Sequence, residues 1–432
     1  MKKLLSVLLS LMLLCCAAVP AMAGSETTHL VFWHSMSEEA GVLLNKYIDE
    51  FNATVGAEKG IEVEAVYQGT YAEATQKLNS ILSAGNYEEL PDVMQMDATG
   101  KVAYLTSGVA YTVDDLLADN VEAEAEIGML LESAMGNWNY AGVQLGVPFA
   151  TSTTVLYYNK TLLDAAGVSA PETFADIITV AAALPSGVTA YATVPNTPTL
   201  ANWIGQLGSY VVNNANGSEG NATELACIDN GALATFLTEW KAMYAAGALT
   251  NVSGSSDEFV AGTLALMTSS SSKVTSMLAS IDGAFELGVA AYPRVNDSAT
   301  AGATVSGSCL VMFRTGNEAA AWALESYLTG AEVQADFAIG TGYIPSNTGS
   351  LETDAWKALV AADPIYNVGL EQLMATPADM RSVTVGPSAD FYYTIQDCVS
   401  EMLESDLSVE ETVDMMADEL GGLLTQYAQA NP

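Results

Sequence analysis

The chain has 432 residues, with 13 Lys and Arg against 51 Asp and Glu, for a formal charge of −38. Half of the residues are hydrophobic and 15% are charged, which suits two or three globular domains with a sizeable core and excludes a disordered chain. Such acidity also excludes nucleic-acid binding, which needs clustered Lys and Arg, and it repels the chain from anionic membrane surfaces unless something anchors it.

The elements follow in chain order. Lys2 and Lys3 precede an apolar run from Leu4 to Ala18 that only Ser6 and Ser10 interrupt, and Ala21-Met22-Ala23 follows. This pattern predicts a signal peptide over 1–23, cleaved before Gly24, and therefore an exported chain. Lipid attachment at Cys15 or Cys16 is the alternative, and it would hold the protein at the outer face of the membrane. Removal of 1–23 takes away two bases and no acid, leaving −40.

Leu30 to Trp33 is a continuous apolar run, as a strand buried on both faces requires. Ser35 or Ser37 is suited to cap the next helix, and Ser35 to Glu38 has capping-box spacing. Ala40, Leu43, Leu44, Tyr47, Ile48 and Phe51 then form one helical stripe. Ile61 to Tyr67 reads as a strand. Tyr71 to Leu82 reads as a helix stopped at Gly85, and Asp92 to Met96 as a third strand. The β-α-β-α-β order predicts a parallel sheet covered by helices, an α/β fold.

Val147 to Tyr158 is β-rich, and Lys160 to Ala166 is a short helix closed by Gly167. Pro171 is placed in a first helical turn ahead of Phe174 to Leu184. The region 186–225 holds Pro195, Pro198 and many Asn and Thr, and reads as loops and short turns. Phe236 to Ala245, Ala319 to Leu328 and Leu407 to Tyr427 read as helices. No repeat of 20–50 residues and no long linker is present, so two domains would have to exchange chain more than once.

The search for chemistry is mostly negative. His29 and His34 are five apart on a predicted strand and face opposite sides, so they cannot share a metal. No zinc, calcium, phosphate-loop or nucleophile-elbow motif occurs. Gly340-Thr341-Gly342 starts like a dinucleotide fingerprint, but Tyr343-Ile344-Pro345 ends the match. Ser270 to Lys273 fits S-x-x-K without its supporting elements. Among 51 carboxylates, nothing singles out a glycosidase pair. No catalytic residue, cofactor or metal is therefore predicted. Cys227, Cys309 and Cys398 are an odd number in an exported chain and read as buried small hydrophobes, with one disulfide plus one thiol as the alternative. Six tryptophans and nineteen tyrosines remain, side chains suited to stacking on the apolar faces of sugar rings.

Several segments carry a family resemblance. They are Phe32-Trp33-His34-Ser35-Met36, Tyr67-Gln68-Gly69-Thr70-Tyr71, Val147-Pro148-Phe149, Val155-Leu156-Tyr157-Tyr158-Asn159-Lys160, Phe259-x-x-Gly262 leading to Met267-Thr268-Ser269, and Thr341-Gly342-Tyr343-Ile344-Pro345. In this order the chain resembles extracellular solute-binding proteins of carbohydrate-type ABC importers, in particular the branch that binds sn-glycerol-3-phosphate and its diesters. The resemblance covers nearly all of 28–432. It implies a two-lobed periplasmic-binding-protein fold of type II, with three crossovers and the ligand in the cleft. The lobes would be 24–149 with 286–332, and 150–285 with 333–432. It also implies a monomer that captures a sugar, oligosaccharide or polyol phosphate by lobe closure and delivers it to the transmembrane permease subunits. An exported glycan hydrolase is the competing enzymatic reading.

The resemblance also implies site residues. Trp33 and His34 would lie at the cleft end of the first strand. Trp203 would pack on the ligand, Gly307 would offer its backbone, Ser270 would bond a hydroxyl or phosphate, and Tyr343 would follow the third crossover. Each has a structural alternative, above all a core position for the tryptophans. Two departures bear on the ligand. The branch carries an acid where Ala72 stands here, with Glu73 adjacent. It also carries a phosphate-binding Arg where Thr384 stands, with Arg381 nearest. A dianion without a guanidinium fits poorly in a field of −40, which favours a neutral sugar unless Arg381 reaches the cleft.

Overall fold

The computed structural model describes residues 27–431, so the predicted signal peptide with Cys15 and Cys16 lies outside the described residues. Strands β1 (Thr28–His34), β2 (Ile61–Tyr67) and β3 (Val93–Met96) are parallel and lie in the order β2-β1-β3. Helices α1 (Glu38–Phe51) and α2 (Tyr71–Ala84) connect them, and α3 (Lys101–Thr106) follows. The side chains explain the arrangement. Leu30 and Phe32 enter one core with Leu44, Ile48 and Phe51 of α1. Trp33, one residue out of phase, enters a second core with Ala74, Leu78 and Ile81 of α2. A strand covered on both faces is apolar at every position, which is why this run lacks alternation.

Helix α2 starts with a capping box between Thr70 and Glu73 and ends at the left-handed Gly85. Helix α1 departs from the expected cap. Ser37 precedes it without a side-chain bond, and the Ser35 N–H donates instead to Gln95 Oε1 at 3.0 Å.

After the short β4 (Ala110–Tyr111) comes β5 (Val147–Asn159), a single strand of 13 residues. At ~3.3 Å per residue it spans about 43 Å, long enough to serve two half-sheets. β6 (Thr189–Ala192), β7 (Leu249–Thr250), β8 (Leu264–Ser270), β9 (Leu287–Ala290) and β10 (Val305–Phe313) complete the sheet, in the order β2-β1-β3-β10-β5-β8-β6-β7. The first part of β5 pairs with β10, and its second part pairs with β8 and β9. The sequence-based division puts 286–332 with the first lobe. Here Leu287–Ala290 still pairs with Tyr157 and Tyr158 of the second half-sheet, and the chain returns between β9 and β10.

The helix over 197–206 corrects the loop expectation for 186–225. Pro198 lies in the first turn of α4 (Thr197–Gln206), where its missing N–H costs nothing, and Asn196 caps that helix. Asn214, Ala215 and Asn216 form a left-handed turn instead. Pro171 stays outside its helix, because Thr173 is the cap of Phe174–Ala183. Downstream are α5 (Ala232–Ala245), α6 (Glu318–Leu328), α7 (Ala331–Thr341), α8 (Ser388–Glu404) and α9 (Val409–Ala430). The second half carries an aromatic core of Phe174, Trp203, Phe236, Trp240 and Tyr292. Cys227, Cys309 and Cys398 are buried and free.

Candidate functional site

Three adjoining cavities of about 570, 560 and 470 Å³ form a trough beside the junction of the half-sheets. The first and third share Ala98, Thr99, Val383, Val385 and Ser388, and the second and third share Asn137, Val305 and Ser382. One wall comes from the turn after β3 and from α3. The other comes from the segment 381–388 and the start of α8. A trough at the C-terminal end of β3 follows from the parallel β-α-β unit, whose loops at that end are free to meet a ligand.

Polar groups in the third cavity are only partly spent. Asp97 uses Oδ1 for both the Thr99 N–H, at 3.1 Å, and the Thr99 hydroxyl, at 2.6 Å. Its Oδ2 is left for another donor. Burial pushes the Asp97 carboxyl above the ordinary carboxylate range, against the Thr99 bonds and Lys101. Thr197 Oγ1 is buried without a partner. Tyr392 and Tyr393 form the aromatic wall, their rings edge to face at 5.2 Å, and Tyr393 is 61% exposed.

Gly307 lies in the same wall with φ 101°. A Cβ there would come within 1.8 Å of the Ala150 carbonyl oxygen, so only glycine allows the two backbones to pair so closely. Arg381 lines the second cavity, where its Nη1 donates to Ser218 Oγ at 3.3 Å. Of the eight sequence-predicted residues, these two line the trough.

A second group is joined by a polar seam. Ser270 and Ser272 hydroxyls are 2.8 Å apart. The Tyr343 hydroxyl is near enough to those of Ser272 and Tyr71 for them to act against the rise in its pKa that burial causes. Gln95 Nε2 donates to Tyr71 at 3.1 Å and to Ser308 at 2.8 Å. The group sets Ser270 next to Ser272, close to Tyr343, and through Gln95 it reaches Ser308, the neighbour of Gly307, and the N–H of Ser35, the neighbour of His34. Ser270 bonds Ser272 and not Lys273, so the S-x-x-K spacing forms no nucleophile–base pair here.

The remaining positions are structural in their surroundings. His34 is buried, which lowers its pKa against a bond to the Met36 backbone, and its Nδ1 has no partner. Trp33 is in the core of α2, with Lys77 Nζ 4.1 Å above its ring. Glu73 is exposed, and its carboxylate is held 2.7 Å from the Thr70 N–H as a helix cap. Trp203 is 0% exposed and lies stacked between Phe236 and Tyr292, each at 5.3 Å. It packs in the aromatic core and lines none of the three cavities. Its neighbour Asn202 carries the polar work, taking the Thr304 N–H and hydroxyl at 2.8 Å each.

Sequence reasoning missed Asp97, Lys101, Asn137, Thr197, Tyr392 and Tyr393. For Asp97 a signal existed, since an acid directly follows the third parallel strand. For Tyr392 and Tyr393, adjacent residues of one helix, it did not.

Among the described residues no cluster of three or more His, Cys, Asp or Glu could hold a metal, and no helix is long and apolar enough to cross a membrane.

Two half-sheets joined through shared strands, with a trough where they meet, define a two-lobed ligand-binding α/β protein. A family model for bacterial extracellular solute-binding proteins matches residues 46–364, and the chain belongs to that family. It is 24% identical over 427 residues to the sn-glycerol-3-phosphate-binding periplasmic protein of Yersinia pestis, covering 94% of each chain. Its fold matches the GacH receptor of Streptomyces glaucescens, solved unliganded and with acarbose, with a TM-score of 0.73 at 20% identity, covering 93% of this chain and 99% of that one. It also matches a Mycobacterium tuberculosis protein solved with glycerophosphocholine, with a TM-score of 0.73 at 19% identity, covering 94% and 100%.

Proposed function

We propose that this chain is the exported, non-catalytic capture component of an ABC importer, that it takes a carbohydrate into the trough, and that it passes the ligand to the transmembrane permease subunits. Capture would proceed by closure of two lobes, the hinge motion of periplasmic binding proteins. The wall of the third cavity carries this reading. There Tyr392 and Tyr393 offer apolar faces for sugar rings, while the unpartnered Thr197 hydroxyl and the free oxygen of Asp97 await hydroxyl groups. We start from lobes of 24–149 with 286–332, and 150–285 with 333–432, and shift the second crossover into 290–305 to follow the strand pairing and the third past Thr341, because Phe337 of α7 packs in the core of β1 and α1.

A thermal-shift panel of mono- and oligosaccharides, glycerol-3-phosphate and its diesters tests this reading. A ligand at 100 times its Kd adds about 2.7 kcal/mol to stability, enough to read. A shift with saccharides supports it. A shift with glycerol-3-phosphate alone favours the second reading, which rests on the ligand that the Yersinia pestis relative is named for. Release of products from an oligosaccharide would refute the non-catalytic part.

A further inference from the structure

The second cavity holds two cations with no carboxylate of their own. Lys101 is 3% exposed, and its ammonium donates to the Asn137 carbonyl. Its Nζ also sits 5.2 Å over the Trp138 ring. Arg381, in the same wall, bonds only a serine hydroxyl through its side chain. Among the described residues, neither cation lies within 4 Å of a carboxylate, whereas Lys46, Lys160, Lys241, Lys357, Arg294 and Arg314 do, and the other bases without such a partner, Lys59, Lys77 and Lys273, are exposed.

In a chain of −38, leaving two buried or half-buried cations without a counter-charge is a conspicuous choice. A buried ammonium without an anion carries a desolvation cost that one carbonyl and one ring only partly offset. Burial lowers the Lys101 pKa to about 8, Cys309 and Asp97 oppose that, and Arg381 adds to it. Lys101 therefore remains mostly charged at neutral pH. Glu132 also lines this cavity but is exposed, where solvent screens it. The Asp97 carboxyl of the adjoining cavity, near enough to Lys101 to raise its pKa, offsets part of these two charges, which suits a monoanion better than a dianionic phosphate.

We propose that Lys101 and Arg381 form an oxyanion subsite that takes the carboxylate of an acidic sugar, whose ring lies in the adjoining aromatic cavity. The shared wall residues Asn137, Val305 and Ser382 make the two cavities continuous. The proposal deepens the carbohydrate reading and rests on it.

Calorimetry on the chain from Gly24 onward tests it, with D-glucuronate, D-galacturonate and digalacturonate set against glucose, galactose and glycerol-3-phosphate. The acidic sugars are expected to bind at least about tenfold more tightly than their neutral parents, and Arg381→Gln and Lys101→Met are each expected to weaken them about tenfold or more. Arg381→Lys should recover part of the loss. Lys101→Met replaces a buried charge with an apolar chain and should fold, and the half-buried Arg381 provides the second, independent variant. Acidic-sugar affinity unchanged in both variants would overturn the subsite, as would preference for glycerol-3-phosphate. Binding of neutral sugars alone would overturn the subsite and leave carbohydrate capture standing, whereas no binding of any saccharide would overturn both.

Discussion

Replacing Glu325 with methionine should stabilise the protein, and more so as pH rises. Glu325 lies in α6, is 0% exposed, and neither carboxylate oxygen has a hydrogen-bond partner. Burial pushes its pKa up from the ordinary 4.5 to about 8. The folded chain thus keeps a proton that the unfolded chain releases. Stability from this group is fully present below pH 4.5 and is lost as pH rises through about 8. A gap of about 3.5 pH units at about 1.36 kcal/mol each makes the loss roughly 5 kcal/mol. His34 acts in the opposite direction, since its lowered pKa costs stability as pH falls below 6.5. The difference between wild type and Glu325→Met cancels that contribution. Urea unfolding at intervals from pH 5 to 8.5 should give a difference that grows with pH and levels off near 8. Glu325→Gln, which keeps the shape without the charge, should remove the same slope. Parallel curves for wild type and both variants would show that Glu325 ionises freely, and the assignment of an unpaired buried carboxyl would fail.

Three further outcomes are expected. Trp203→Ala should cost about 3–5 kcal/mol in urea unfolding, because it empties the centre of the aromatic core; a variant as stable as wild type that has lost ligand binding would return Trp203 to the cleft. Gly307→Ala should destabilise by about 1–3 kcal/mol or more, since φ is 101° and the opposing atom is a backbone oxygen; an unchanged midpoint would mean that β5 and β10 pair differently. Cys227 and Cys398, pushed up to about 12 by burial, and Cys309, also raised, should resist a thiol reagent in native buffer and react only in denaturant. Fast native labelling, or a thermal midpoint lowered by reductant, would contradict three buried free thiols.

The sheet was legible where one rule decided it. Leu30 to Trp33 had to be covered on both faces, and two helical stripes of the right length followed. The helix from Thr197 was hidden by Pro198, because a proline marks a loop and a first helical turn equally well. The site was less legible, because its walls come from segments far apart in sequence. Asp97, Gly307 and Tyr392 line one cavity, yet no local spacing relates them. Trp203 shows the converse failure. The family resemblance puts it against the ligand, but here its ring stacks on Phe236 and Tyr292 in the core.

Charge gives the last step. From sequence alone, −38 describes a surface and disfavours an anionic ligand. The structure divides that sum by position. Six of the bases pair with carboxylates at the surface, three more, Lys59, Lys77 and Lys273, are exposed without such a partner, and surface pairs contribute little to stability. Lys101 and Arg381 are withheld from pairing and placed in one cavity wall. At a Debye length of about 8 Å, the distant surface acids are largely screened, so a ligand in the trough meets these two cations before it meets the net charge. The acidity then acts on a different scale. It repels anions approaching the surface and slows their capture, without deciding which of them the cavity holds. Raising ionic strength should therefore speed association of an acidic sugar while weakening its final complex. That pair of opposite salt effects, read by stopped-flow and calorimetry, would separate the field of the surface from the charge of the site.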